Sequence, residues 1–110
     1  MGELERISFR IIAAVGGARS SYIEAMRAAR AGDLERADAL IKQGDESFLG
    51  GHDAHTELIQ REAGGDPVQM NLMITHAEDQ LMSAETIKIV ALELIELYRD
   101  RAKEAAQATA

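Results

Sequence analysis

The densest chemistry in this chain sits in the hexapeptide "THAEDQ", residues 75–80, where His76 and Asp79 interrupt the apolar run "LMITHAEDQLMSAETIKIVALELIELY". Three residues apart on a helix, two side chains share a face and can act on one object. A neutral imidazole near pH 7 can be a nucleophile, a proton carrier or a metal ligand. Residue types alone leave three readings open: a polar surface strip with a locally paired aspartate, a metal or proton site, or a histidine kept as a nucleophile.

A metal site would draw on His52, His55, His76 and Asp79, which together offer imidazole and carboxylate donors. Their spacing argues for no particular centre. Di-iron helical bundles place Glu three residues before His, whereas Met73, Leu49 and His52 stand three before His76, His52 and His55, and no HExxH occurs. The chain has no Cys, which removes thiolate ligands and thiol nucleophiles. Ser20, Ser21, Ser47 and Ser83 lie in no nucleophile elbow, and the paired glycines follow no strand of the kind a phosphate loop needs.

These residues must be positioned by helices. Ala, Leu, Ile, Glu and Arg dominate the sequence, and all but the β-branched Ile lose little freedom on helix formation. In a first helix, Leu4, Ile7, Ile11, Val15, Ala18, Tyr22, Ala25 and Ala29 form one stripe, closed by Gly32 with Asp33 capping the next. A second stripe runs through Leu34, Ala37, Ile41, Gly44, Phe48, His55 and Leu58, with Gly50 and Gly51 predicting a bend or break. A third helix is predicted to begin with Asp66 as N-cap, Pro67 in its first turn and Gln69 completing a capping box. The expected architecture is all-α: a single domain over residues 1–110, an antiparallel three-helix bundle with helices at about 3–31, 34–63 and 67–101 and a frayed C-terminal tail.

The third helix is apolar on more than one face, since Leu72, Ile74, Met82, Ile89, Val90 and Leu97 lie off its main stripe. Three helices cannot bury one of their number on all sides, so self-association is expected. Twelve Lys and Arg against nineteen Asp and Glu give a net charge of −7, whose field repels nucleic acid and anionic lipid. "MGELERISF" has no basic leader, and no later run approaches the roughly 20 apolar residues that span a bilayer. A soluble, cytoplasmic protein is expected.

The segments "GGARSSYIEAMRAARAGDLERADALI", "HTELIQREAGGDPVQMNLMITHAEDQLMSAETIK" and "ELIELY" resemble the lactose/cellobiose-type enzyme IIA proteins of the bacterial phosphoenolpyruvate-dependent sugar phosphotransferase system. The resemblance covers about residues 4–100, and its most specific part is the His-Ala-x-Asp core followed by Leu-Met. It implies a phosphocarrier subunit in β-glucoside, lactose or cellobiose uptake that assembles as a homotrimer. His76 would accept phosphoryl from the phosphohistidine of HPr and pass it to a cysteine of enzyme IIB. Asp79 would meet its copies at the trimer axis and share a divalent cation there, magnesium being the expected ion. The membrane would be reached only indirectly, through the sugar permease subunit.

Three positions depart from the family pattern, two of them in the core, which reads His-Ala-Gln-Asp-His where this chain has "HAEDQ". Gln80 replaces the second histidine and, one turn from His76, offers a hydrogen-bond donor to a phosphoryl oxygen. Glu78 replaces the glutamine and, if it points inward, adds a charge that opposes phosphoryl arrival or raises the histidine pKa. His55 stands where the family has glutamine. These departures keep a second reading alongside the first: a non-catalytic helical interaction or regulatory protein built on the same scaffold.

Overall fold

The computed structural model describes residues 2–109. Three helices account for nearly all of them: α1 (Glu3–Arg30), α2 (Leu34–Ala63) and α3 (Leu72–Ala108). At 1.5 Å per residue the 37 residues of α3 reach about 55 Å, which sets the long dimension of a rod measuring 63 × 24 × 20 Å. Contacts between Ser47 and Ala14 and between Tyr22 and Asp45 show α2 running antiparallel to α1. His55–Glu78, Lys88–Asp45 and Arg99–Asp38 pair α2 with α3 in the same antiparallel sense. The expected up-down-up bundle is what forms.

Every position of the first predicted stripe from Ile7 to Ala29 is buried, because α1 lies between its two neighbours and packs along both, while α2 and α3 touch each other only slightly. The core has three linked clusters. Ile7, Ile11, Val15, Leu58 and Leu81 fill one end, Tyr22 with Ala18 and Ala91 the middle, and Leu40 with Ile95 the other end. Buried alanines on all three helices, among them Ala25, Ala54, Ala77 and Ala84, let the backbones approach closely.

Helix α2 does not break at Gly50 and Gly51; it runs through them. Gly51 is buried against α1, where a β-carbon would fall 2.7 Å from Val15 Cγ1, and at Gly44 one would fall 2.5 Å from the ring of Tyr22. These glycines are selected by close helix–helix approach, and the surrounding contacts hold the backbone helical despite their poor propensity. The α1–α2 turn is as expected: Gly32 takes φ +90°, and Asp33 accepts a hydrogen bond from the Arg36 backbone N–H.

The start of the third helix differs from expectation. It begins at Leu72, with Asn71 as N-cap accepting from the Ile74 N–H at 2.9 Å, so Asp66, Pro67 and Gln69 cap nothing. Two forces hold residues 66–71 out of the helix. Asp66 is taken by Arg61 at 2.8 Å as α2 ends at Gly64, and Val68 packs against the first core cluster. At the other end α3 passes the predicted stop near Arg101 and continues helical to Ala108, with its last turns exposed.

Candidate functional site

Within α3, Ile74, Ala77, Leu81 and Ala84 face the core, and their burial fixes the rotation of the helix. His76 and Asp79 are thereby turned outward, and both are exposed. The strip they share continues through Ser83 and Thr86 to Val90 and begins at Leu72, which is 85% exposed. Met82 and Ile89, 56% and 64% exposed, lie beside it. His76 therefore stands on a polar strip bracketed by exposed apolar side chains, and no other described residue covers that face.

Gln80 is half-buried one turn after His76, and its Oε1 accepts a hydrogen bond from Arg19 Nη1 of α1 at 3.4 Å. Arg19 falls inside the segment "GGARSSYIEAMRAARAGDLERADALI", but nothing in the residue pattern assigns it a part. Its partnership with Gln80 spans 61 residues and appears only once α1 and α3 pack.

Glu78 does not point toward His76. It lies on the α2 side of the helix, where Oε2 comes within 2.6 Å of His55 Nδ1, an ion pair when the imidazole is protonated. The approach is close but lacks the alignment of a directed hydrogen bond. Two of the departures from the family pattern, Glu78 and His55, are thus each other's neighbours.

The remaining histidine is elsewhere. His52 is exposed, stacks with Phe48 at a ring separation of 6.4 Å, and lines a cleft of about 570 Å³ between α2 and α3 with Asp45, Lys88 and Ile89. Beneath that cleft the buried Tyr22 donates to Asp45 at 2.7 Å, and Lys88 Nζ lies 2.8 Å from the same carboxylate oxygen. Burial first, and then the Asp45 hydrogen bond and charge, push the Tyr22 hydroxyl well above its ordinary pKa. The four candidate metal donors, His52, His55, His76 and Asp79, are not brought together. Among the described residues no three acidic or imidazole groups form a ligand set. Nor, among those residues, is any helix long and apolar enough to cross a membrane.

A rigid helical rod that presents an imidazole on its outside suits the carriage of a group between protein partners, a task that needs no enclosed pocket. Comparison with known proteins points to the same class. Residues 6–99 match the family described as "PTS system, Lactose/Cellobiose specific IIA subunit". The chain is 47% identical over 96 residues to the lichenan-specific phosphotransferase enzyme IIA component of Bacillus subtilis, covering 87% of each. It is 38% identical over 97 residues to the lactose-specific EIIA component of Staphylococcus aureus, covering 88% of this chain and 94% of that protein. In three dimensions it superposes on the cellobiose-specific enzyme IIA of Bacillus anthracis with a TM-score of 0.90 at 37% identity, covering 94% of each chain. The chain belongs to the lactose/cellobiose-specific IIA family, and is a phosphotransferase component that carries phosphoryl groups in a sugar phosphotransferase system. Membership brings with it the partners of that relay, HPr and enzyme IIB.

Proposed function

We propose that His76 is the phosphoryl-carrying residue, loaded by the phosphohistidine of HPr and discharged to a cysteine of enzyme IIB. The observation that carries this reading is the placement of His76: exposed, on a rigid helix, within the part of the chain that matches the family. A lone pair on one ring nitrogen forms the new N–P bond while the donor's N–P bond breaks and its electrons return to the HPr imidazole. In the second transfer the IIB thiolate bonds to phosphorus, and the N–P electron pair returns to His76. Such steps rest on positioning and charge stabilisation more than on covalent help from other groups. Incubation with phosphoenolpyruvate, enzyme I and HPr should give an acid-labile, alkali-stable adduct that disappears in His76→Ala. Label retained in that variant refutes the assignment, and an unlabelled wild type would favour a non-catalytic scaffold.

The chain would act in the cytoplasm as a homotrimer, touching the membrane only through its permease subunit. The uncovered face of α3, with Leu72, Met82, Ile89 and Val90 exposed beside Asp79, supports assembly through that helix. Asp79 alone offers a cation too few oxygens, but three copies of it form a hard, anionic donor set that suits a divalent ion such as magnesium. Bound there, the cation would offset the repulsion among the carboxylates. The sugars named for the relatives, lichenan, oligo-β-mannoside and lactose, support uptake of β-glucoside, lactose or cellobiose type sugars as the process this chain would serve.

A further inference from the structure

We infer that Arg19 is a positioning residue for phosphoryl transfer: by holding Gln80 Oε1, it fixes the Gln80 amide so that its N–H donors are kept for the phosphoryl group on His76. The inference rests on the reading of His76 as the carrier. Its starting point is the hydrogen bond from Arg19 Nη1 to Gln80 Oε1. A guanidinium has donors only, so the amide atom facing it must be the oxygen, and the orientation of Gln80 follows from chemistry. The Nε2 group is then turned away from Arg19 with two N–H bonds to give, and among the described residues no protein acceptor takes them.

Gln80 follows His76 by four residues, which on a helix puts the two β-carbons about 6 Å apart, within reach of a phosphoryl oxygen on the imidazole. An unrestrained glutamine would offer oxygen and nitrogen alternately, and the oxygen repels a phosphoryl dianion. Arg19 removes that ambiguity. It is itself half-buried, and among the described residues no carboxylate lies within ion-pair distance of it, so its charge is not cancelled locally. That charge polarises the Gln80 amide it binds, which strengthens the free N–H groups as donors to a phosphoryl group carrying nearly two negative charges.

The test is the rate of loading by phosphorylated HPr for the wild-type chain, Arg19→Met, Gln80→Glu, Gln80→Ala and the Arg19→Met/Gln80→Ala pair, with thermal unfolding of each. Arg19→Met and Gln80→Ala should each slow loading about tenfold, the expected loss of one charge-linked hydrogen bond in the transition state, and the double variant no further. Gln80→Glu retains an acceptor for Arg19 and so should keep or raise the unfolding temperature, yet it should load at least about tenfold more slowly, because a carboxylate that repels the phosphoryl group stands in place of the N–H donors. A purely structural contact predicts loading that follows the unfolding temperature from variant to variant, and so no loss of loading in Gln80→Glu. Normal loading in Arg19→Met or in Gln80→Glu, or single effects that multiply in the double variant, overturns the inference. Absence of label in His76→Ala alongside any of these leaves the carrier assignment standing, whereas label persisting there overturns both.

Discussion

Glu78 stands two residues from His76, and on an α-helix that separation turns its side chain about 200° around the axis. Its carboxylate lies against His55 across the α2–α3 interface, so it does not face His76, the proposed carrier. The expectation of an opposing charge follows naturally from the linear pattern, since the helix rotation that separates the two side chains is fixed by the burial of Ala77 and Leu81. Likewise the sequence offers Glu78 and His55 as separate anomalies, and only the register of two antiparallel helices makes them one pair. Glu78→Gln should alter His76 loading by less than about twofold, because a charge turned to the other side of the helix contributes little field at the site. In urea unfolding, His55→Gln and Glu78→Gln should be coupled by about 1 kcal/mol, as expected for a half-buried pair in contact. Strictly additive losses of stability would show that the contact is incidental.

At the level of the helices, apolar periodicity was sufficient to place α1 and α2 and most of the inward face of α3. Local signals misled where tertiary contacts outweigh them. "DPVQ" has the pattern of a helix start, but its Asp66 is held by Arg61 and its Val68 by the core, and the weaker-looking Asn71 provides the cap. "GG" at residues 50–51 has the pattern of a break, but one of the two glycines is there to make room. The two positions therefore predict opposite results. A β-carbon on Gly50 would meet only Ala14 Cβ at 3.8 Å, so Gly50→Ala should stabilise by about 0.5–1 kcal/mol through helix propensity. On Gly51 it would lie 2.7 Å from Val15 Cγ1, and Gly51→Ala should cost about 1–3 kcal/mol as the helices are forced apart. Denaturant midpoints decide the matter, and equal effects at both positions would mean that α2 does not pack on α1 through Gly51.

A rod 63 Å long and barely 20 Å thick buries α1 well and leaves α3 half-dressed, and that imbalance is a property of the whole chain. Leu72, Met82, Ile89, Val90 and Leu97 are all more than 40% exposed, on one helix, and Asp79 lies among them. Covering such a face with copies of itself removes apolar surface from water, at roughly 25 cal/mol for each Å². It also brings equivalent carboxylates together, and like charges a few ångströms apart disfavour joint ionisation unless a cation or protons intervene. Assembly and cation binding should therefore be linked through Asp79. In sedimentation velocity at neutral pH the wild-type chain should run as a trimer and loosen on addition of chelator, with the loss reversed by magnesium. Asp79→Asn removes both the repulsion and the need for its relief, so this variant should stay trimeric and be insensitive to chelator. A wild-type trimer indifferent to chelator would separate the two ideas, leaving apolar burial as the whole of the association and Asp79 without an axial cation. A chain that sediments as a monomer at every concentration, with or without magnesium, would mean that the apolar face of α3 is not an interface between copies, and that Asp79 is simply the solvated neighbour of His76.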